Sequence, residues 1–490
     1  MNKKFLAVGV AATLGAVSGA ANAVMAVQPN GIGHINVLPY YSVQGGNNTL
    51  ISITNTDQVN GKVVKVRFRG AEFSDDVLDF QVFLSPSDVF TGAVTRNGDV
   101  AHFATADKSC TLPGTASTPG GTGTSPLAGP AGIDFVTERL PETRKLTGTL
   151  EGYIEVIEMA DLPPGGAAYT ATKHVKGVAP CTASTLVGPD PLNPTVPAGL
   201  AAPTGGIMSS ATVIDVNGSK AFTFPGTAIS PDTNPAAPVY FLQSNNALAW
   251  AANLTWDRIF APAPDGGNVP MYQFDLPDLS TPYDPAAAGS ALTQRDLTSA
   301  AILRGEVFAD FVTSASIKAA TDVVLTQPTR RYYYLYNLAV APNISVATVK
   351  AADGIYTPLN ATSNRIQVGE PTWYDREEQT ATSGTSIVIS PTPPSAILTF
   401  SLLGEVSVLS VNSSTVPTDA TSAKLTAQNY EAPKVDGNQI RDGWVALSTT
   451  NPTTGALPVI GFEGINVFNS AVGAAGTNYG LTLPLRSPAP

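Results

Sequence analysis

Histidine, cysteine and clustered carboxylates are the side chains with which this chain could perform chemistry, and few of them occur in a catalytic pattern. The three histidines, His34, His102 and His174, have no partner at the spacing of metal ligands. The sequence contains no H-E-x-x-H zinc motif, no G-x-S-x-G nucleophile elbow, no phosphate-binding loop and no clustered Cys/His site. We therefore expect surface or strand-edge histidines and predict no catalytic residue.

Two carboxylates without histidine would still suffice to hydrolyse a glycoside. The best candidates are Asp375 and Glu377. They lie beside Trp373 and Tyr374, and aromatic rings of this kind stack on sugars. Catalytic carboxylates, however, usually project from separate strands and flank the bond that breaks. We favour a solvated turn with an internal pair to Arg376, and a sugar-binding role is the alternative.

Acidic side chains also cluster at Asp75, Asp76 and Asp79, and again between Asp436 and Asp442. Such hard oxygen ligands suit Ca²⁺ in an acidic secreted protein, although neither cluster has the EF-hand pattern. Asp and Asn also favour turns for purely local reasons. We take Asp75, Asp76 and Asp79 as candidate calcium ligands, with a turn-forming role as the alternative.

The first 23 residues have the pattern of a secretory signal peptide. Lys3 and Lys4 are followed by an apolar run from Phe5 to Val17, which at roughly a dozen residues is too short to span a membrane. Ala21-Asn22-Ala23 then supplies the small residues that a signal peptidase reads. The pattern predicts export from a bacterial cell, with cleavage after residue 23.

Composition favours a large, turn-rich β protein and excludes nucleic acid as a partner. Only 13% of the 490 residues are charged, against a usual share of about 25%, whereas Gly (44) and Pro (40) are abundant. Removing Lys3 and Lys4 from the formal net charge of −11 leaves −13. A surface of that charge, without a basic stripe, repels phosphate.

The hydrophobic pattern predicts short antiparallel strands. Between residues 63 and 69, Val64, Val66 and Phe68 alternate with three cationic residues, which is the period of a strand with one solvated face. Similar runs separated by Gly, Asn and Asp recur along the chain. We expect a mainly β fold of antiparallel β-sandwich domains, Ig-like or jelly-roll-like, with long Pro/Gly/Thr-rich loops and one or two short helices.

Two stretches rich in Pro, Gly and Ala divide the chain. Residues 112–132 form a predicted surface loop, and residues 189–206 form the best candidate boundary. We predict a β-sandwich domain over residues 24–205 and a mainly β domain over residues 206–490. One helical segment, Asp296–Phe311, is indicated by apolar residues at steps of three and four.

The two cysteines, Cys110 and Cys181, predict one disulfide, because an even count in an exported protein usually means pairing. Two unpaired buried thiols are the alternative, and a reactive thiol is disfavoured because no histidine partner is indicated. The most aromatic stretch, Arg330–Tyr336, offers Tyr332, Tyr333 and Tyr334 as interface residues. Its alternative is a strand whose tyrosines alternate between core and solvent.

Several strings, in order along most of the mature chain, resemble secreted proteobacterial surface-layer-type proteins, some of which sheathe surface extensions of betaproteobacteria (S-layer or nanopod-sheath proteins). These strings are Leu38–Tyr41, Asn48–Thr56, Lys65–Gly70, Asp107–Thr111, Glu151–Val156, Pro180–Thr182, Thr321–Val324, Pro328–Tyr332, Tyr374–Glu378, Gly404–Leu409 and Leu457–Phe462. The resemblance implies export across both membranes, no enzyme activity and self-assembly into an outer-surface lattice. Its partners would be further copies of the chain and the outer-membrane surface or lipopolysaccharide.

We therefore expect a secreted structural protein that assembles into a cell-surface layer. Low charge density lets large polar surfaces pack together, and bridging Ca²⁺ could offset the net negative charge. The same traits fit an adhesin or a secreted carbohydrate-binding or glycan-active protein. A monomeric periplasmic protein is the third alternative.

Overall fold

The computed structural model of the protein describes part of its residues. The described residues are 24–72, 74–112, 132–137, 140, 144–187, 196–241, 243, 260–262, 268–270, 276–283, 291–337, 345–348, 365–377, 380–382, 400–412, 427–431, 434–435, 438–439, 442–469, 471 and 477–488. The predicted signal peptide, nearly all of the predicted loop 112–132 and residues 189–195 of the predicted boundary lie outside them.

The first half of the described chain is built from strands and two short helices. In chain order the strands are β1 (Met25–Val27), β2 (Ile35–Ser42), β3 (Asn48–Asn55), β4 (Gly61–Gly70), β5 (Asp76–Leu84), β6 (Val89–Asn97), β7 (Val100–Ala104), β8 (Cys110–Leu112), β9 (Ile133–Asp134), β10 (Glu151–Leu162), β11 (Ile207–Asp215), β12 (Lys220–Pro225) and β13 (Thr227–Pro231). The helices are α1 (Ala167–Thr172) and α2 (Ala183–Leu186).

The second half adds a longer helix and shorter strands. Helix α3 spans Ala291–Ala301. The strands are β14 (Phe260–Pro262), β15 (Asn268–Pro270), β16 (Leu303–Arg304), β17 (Glu306–Val312), β18 (Ala320–Thr326), β19 (Tyr334–Asn337), β20 (Ser345–Thr348), β21 (Arg365–Gln367), β22 (Thr372–Asp375), β23 (Thr380–Thr382), β24 (Ser401–Leu403), β25 (Val406–Asn412), β26 (Ala427–Glu431), β27 (Lys434–Val435), β28 (Asn438–Gln439), β29 (Asp442–Ser448), β30 (Thr450–Asn451), β31 (Gly455–Pro458), β32 (Ile460–Asn469) and β33 (Thr477–Pro484).

Two sheets form the main body. One has seven strands in the order β1-β13-β2-β10-β4-β5-β8, and the other has six in the order β12-β11-β3-β6-β7-β9. Their facing sides share one apolar core in which aromatic rings dominate. The ring centroid of Phe68 lies 5.0 Å from that of Phe135, and Phe80 lies 5.0 Å from Phe103. Alternation of apolar residues along β3, β4 and β6 places one side of each strand in this core.

A second apolar core forms among the smaller C-terminal sheets. The largest has the order β26-β25-β18-β32-β33, and β17, β29, β22 and β23 form a four-stranded sheet. Pairing is antiparallel throughout these two sheets except between β25 and β26, which run parallel. Val323, Trp373 and Val445 are among the buried residues of this core. The mainly β, antiparallel prediction is confirmed, and the Ig-like or jelly-roll-like topology stays a prediction.

The predicted domain boundary at residues 205 and 206 does not coincide with the sheet topology. Strands β11, β12 and β13 follow this point, yet they pair with strands of the two N-terminal sheets. The main core also extends into the C-terminal half, where Phe462 stacks on Phe224 with ring centroids 4.1 Å apart. A change in composition along the chain does not indicate which distant strands pair. Here the pairing places β11, β12 and β13 with the N-terminal sheets.

The predicted helix over residues 296–311 is correct only in its first part. Helix α3 ends at Ala301, and β17 begins at Glu306 after Gly305. Within β17 the buried residues are Val307, Ala309 and Phe311, which is the two-residue period of a strand with one covered face. Apolar residues at 307, 308 and 311 also fit a helical period, so the sequence pattern alone was ambiguous there.

Candidate functional site

The seven-stranded sheet has charged side chains on the face that points away from the six-stranded sheet, called here the outer face. On β4 these are Lys65, Arg67 and Arg69, and all three are fully buried. The expectation that they form a solvated face is therefore wrong. Opposite-charge residues stand on both neighbouring strands, since Arg67 faces Asp79 on β5 and Glu155 on β10 in the strand register.

Each cation of this buried ionic layer lies against a carboxylate. Lys65 contacts Asp79, and Arg67 contacts Asp76. Arg69 Nε lies 3.3 Å from Glu155 Oε1. Charges removed from water in this way are tolerated only when they are paired and hydrogen-bonded.

Three distant segments cover the layer and exclude solvent from it. The Arg67 guanidinium donates to the carbonyl of Pro277 over 3.1 Å, and the Tyr153 hydroxyl donates to the carbonyl of Pro328 over 3.1 Å. Gln243 donates to Asp79 Oδ1 over 2.7 Å. These segments add hydrogen bonds to the layer from outside the sheet.

The electrostatics of the layer are those of a closed ionic network. Burial raises the pKa of Glu155, and the nearby Arg69 and Arg67 oppose this shift. Burial disfavours the charged form of Arg69, yet Glu155 raises the pKa of this guanidinium well above its ordinary value. Because the groups are buried and mutually paired, we assign the layer a structural role rather than a catalytic one.

A second buried ionic cluster lies around Lys62, at the other end of β4. The Lys62 Nζ is 2.6 Å from Asp161 Oδ1, 3.1 Å from Glu158 Oε1 and 3.3 Å from Asp57 Oδ2. Thr204 Oγ1 accepts a hydrogen bond from the same amine over 2.8 Å. The side chains of Lys62 and Glu158 are fully buried, whereas that of Asp57 is 20% exposed. One cation is thus surrounded by three carboxylates.

The predicted calcium ligands lie at the ionic layer. Asp76 and Asp79 are buried and contact Arg67 and Lys65, and Asp75 is also buried. In the described part of the chain, no group of three or more His, Cys, Asp or Glu side chains is arranged to hold a metal ion. The second predicted cluster lies partly outside the described residues, because 436 and 437 are not among them. Calcium binding stays a prediction.

Two of the three predicted interface tyrosines, Tyr332 and Tyr333, lie in the interior. Tyr332 and Tyr333 end a short 3₁₀-helix, Arg330–Tyr333, and are 0% and 4% exposed. The Tyr333 ring packs 3.9 Å from the guanidinium carbon of Arg295. Tyr334 begins β19. Tyr332 and Tyr333 therefore offer almost no surface to a second molecule, since their rings pack beneath the chain itself.

The predicted disulfide joins Cys110 and Cys181, which are 71 positions apart. It ties β8 to the segment just before α2. Apolar residues of β4, β10 and both helices surround it, among them Val63, Met159 and Ala168. The disulfide prediction is confirmed.

The aromatic candidates for sugar binding divide into buried and exposed rings. Trp373 is 1% exposed and packs against Phe311 in the second core, so it cannot stack on a sugar. The neighbouring strand exposes a different indole. Trp444 is 37% exposed and stacks on Tyr374 with ring centroids 4.0 Å apart. The predicted turn beside them is present, because Arg376 Nε lies 2.7 Å from Glu377 Oε1 on the surface.

The histidines do not form a catalytic arrangement with their described neighbours. His34 is buried, contrary to expectation, with Nδ1 3.1 Å from Ser230 Oγ, and burial lowers its pKa to about 4. His102 Nδ1 lies 2.7 Å from Asp134 at a sheet edge. His174 contacts both Ser85 and Asp88 through Nδ1. A serine–histidine–carboxylate triad needs opposite ring nitrogens for these two contacts.

The central part of the exposed face of the six-stranded sheet is lined by uncharged side chains, and Asp134 lies at its β9 edge. Leu50, Val89 and Met208 are 45%, 42% and 42% exposed. A shallow groove of about 410 Å³ crosses this face between β3, β6, β7 and β11. Its lining residues are Leu50, Ile51, Ser52, Thr91, Gly92, Ala93, Ala104, Thr105, Ala106, Ser210 and Thr212. The sequence analysis did not predict this surface, although the alternation of polar and apolar residues along β3 indicates that one side of the strand is exposed.

Comparison of the chain with protein-family models, with characterised proteins and with solved structures gives no match. Among the described residues, no helix has both the length and the hydropathy needed to cross a membrane. Functional conclusions therefore rest on the surfaces and clusters described above.

Proposed function

We propose that this chain is a secreted structural protein that self-assembles into a layer on the outer surface of the bacterial cell. The resemblance to surface-layer-type proteins supports this role. The structural observation that carries the proposal is the uncharged central part of the exposed face of the six-stranded sheet. Its central row runs across three strands, because Ser210, Ser52 and Thr91 are register partners on β11, β3 and β6.

A second copy of the chain is the occupant that this face fits best. The chain carries a net charge of −11, so two copies repel each other over most approach directions. Interface cores are depleted in charged residues, and small polar side chains on a flat sheet allow close approach. The exposed Leu50, Val89 and Met208 add apolar area to the same face. Contacts of this kind, repeated between copies, would build one direction of a lattice.

The disulfide and the two buried ionic clusters support the rigid body that a surface layer needs. A bond between Cys110 and Cys181 is typical of an oxidising compartment outside the cytoplasm. Attachment to the outer-membrane surface or lipopolysaccharide, and bridging by Ca²⁺, belong to the same proposal.

Sedimentation velocity over a range of protein concentrations tests the face directly. The double variant Thr91→Glu/Ser210→Glu places two negative charges in the centre of the face and should abolish association. The control Val175→Glu/Val178→Glu adds the same charge at exposed positions of another loop and should leave association unchanged. Equal association of both variants and the wild type would overturn the assignment of this face.

The exposed aromatic pair supports a second candidate function, the binding of carbohydrate. Indole rings bind sugars by stacking, and Trp444 offers a partly exposed ring held in place by Tyr374. A glycan array should then show binding that Trp444→Ala abolishes and that Tyr479→Ala, which removes an exposed ring from β33, leaves intact. Wild-type protein that binds no glycan on the array would exclude this candidate.

A further inference from the structure

The cluster around Lys62 combines the parts needed to join two side chains covalently. Lys62 and Asp161 are direct partners in the register between β4 and β10, and their charged groups are 2.6 Å apart. Both side chains are shielded from solvent, at 0% and 3% exposed. An amine and a carboxyl held together without water have a very high effective concentration, which favours their condensation.

We propose that Lys62 and Asp161 form an intramolecular amide bond, with Glu158 as the residue that relays the proton. The Lys62 Nζ attacks Cγ of Asp161, a C–N bond forms, and one carboxyl oxygen of Asp161 leaves as water. An ammonium and a carboxylate together contain all the atoms of an amide and one water molecule. The reaction therefore needs no oxidant, reductant or further reactant.

Glu158 is placed to move the proton. Its Oε1 lies 3.1 Å from the Lys62 Nζ, and its Oε2 accepts a hydrogen bond from the Gly205 backbone N–H over 2.8 Å. Burial raises the pKa of Glu158 well above its ordinary value, against the opposing charge of Lys62. Burial of Lys62 is outweighed by Glu158 and Asp161, which also raise the pKa of Lys62, so the proton moves only to a carboxylate that is itself more basic than usual. Glu158 is such a carboxylate, and it can return the proton to the departing oxygen.

Thr204 holds the electrophile. Its hydroxyl donates to Asp161 Oδ2 over 2.7 Å, and its backbone N–H donates to Asp161 Oδ1 over 3.3 Å. Donors in these positions stabilise the negative charge that develops on the carboxyl oxygens during attack.

The product removes a buried ion pair from the cluster. Two opposite charges held out of water carry a desolvation cost. Amide formation replaces the Lys62 and Asp161 charges by a neutral group, and the net charge of the cluster does not change. Before the bond forms, partial burial of Asp57 is outweighed by hydrogen bonds from Asn60 and Val59 and by the charge of Lys62, which lower its pKa to about 2. It is also 20% exposed, so solvent stabilises the remaining charge.

Peptide mapping of the purified full-length protein tests the bond. The wild-type protein is reduced, denatured, digested with trypsin and analysed by tandem mass spectrometry. We expect no cleavage after Lys62, and a branched peptide containing Lys62 and Asp161 whose mass is lower by one water molecule. Wild-type protein with Lys62 cleaved and both residues in unmodified peptides would overturn the proposal.

Variants separate the relay from simple proximity. Glu158→Gln should abolish the branched peptide, and Asp57→Asn, which changes a second carboxylate beside the same amine, should retain it. Should Glu158→Gln fail to fold, Glu158→Asp keeps the acid at a greater distance and should slow formation of the bond. A branched peptide formed at the wild-type rate in either Glu158 variant would remove Glu158 from the mechanism.

Discussion

Replacing Arg69 by methionine removes one positive charge from the buried ionic layer while roughly keeping the volume of the side chain. In the folded protein Arg69 contacts Glu155 through two nitrogens, at 3.3 and 3.4 Å, and lies 3.9 Å from Asp278. Among the described residues, Arg67 is then the cation left in an ion pair with Glu155, with Arg67 Nε 3.7 Å away. Breaking a buried pair costs about 3–5 kcal/mol, and the remaining arginine places the expected loss near the lower value, at about 3 kcal/mol.

The free energy of unfolding from urea titrations measures this loss. Arg96→Met is the matched control, because Arg96 pairs with Asp99 over 3.9 Å at an exposed site, where such a pair contributes about 0–1 kcal/mol. The double variant Arg69→Met/Glu155→Leu removes both buried charges and should recover much of the stability. A loss for Arg69→Met no larger than that for Arg96→Met would refute the conclusion that the layer is closed to water.

The disulfide closes a loop of 71 residues, so Cys110→Ser/Cys181→Ser should lower the free energy of unfolding by about 4 kcal/mol in urea titrations, and an unchanged value would contradict this. Burial raises the pKa of Glu463 to about 8 from 4.5, so its contribution to stability is full below pH 4.5 and is lost as the pH rises through 8. Between pH 4.5 and pH 8, the melting temperature should therefore decline less in Glu463→Gln than in the wild type. An equal decline in both proteins would contradict this prediction. A Cβ at Gly92 would lie 2.3 Å from Phe103 Cζ, so Gly92→Ala should cost about 1–3 kcal/mol, whereas a neutral result in the same titrations would show that the ring can move.

Much of the strand content could be predicted from the sequence, because alternation and turn residues act locally. The run from residue 61 to 70 is a strand with Val64, Val66 and Phe68 in the core, as the pattern indicates. The disulfide followed from cysteine count and compartment. These signals need no knowledge of distant parts of the chain.

What covers the second face of a strand could not be predicted in the same way. The groups that bury Arg67 and Lys65 include the carbonyl of Pro277 and the side chain of Gln243, which lie 210 and 178 positions further along the chain. A two-residue period separates two faces but does not say whether either is exposed. The sequence did contain one indication that this face is buried. Cationic residues on β4 have acidic register partners on β10, as Arg67 has Glu155.

The burial of Tyr332, Tyr333 and Trp373 could not be predicted for a related reason. Tyr332 and Trp373 belong to residue types that are common both in cores and at interfaces, so type alone does not decide between them. Packing from other elements decides, and both residues are buried. Trp444 became a candidate only when its exposure and its stack on Tyr374 were known.

Electron microscopy of the purified mature protein, incubated at high concentration with and without Ca²⁺, tests the central claim of self-assembly most directly. We expect ordered two-dimensional arrays for the wild type and dispersed particles for Thr91→Glu/Ser210→Glu under the same conditions. Wild-type protein that stays monodisperse at every concentration, with Ca²⁺ present, would contradict the claim.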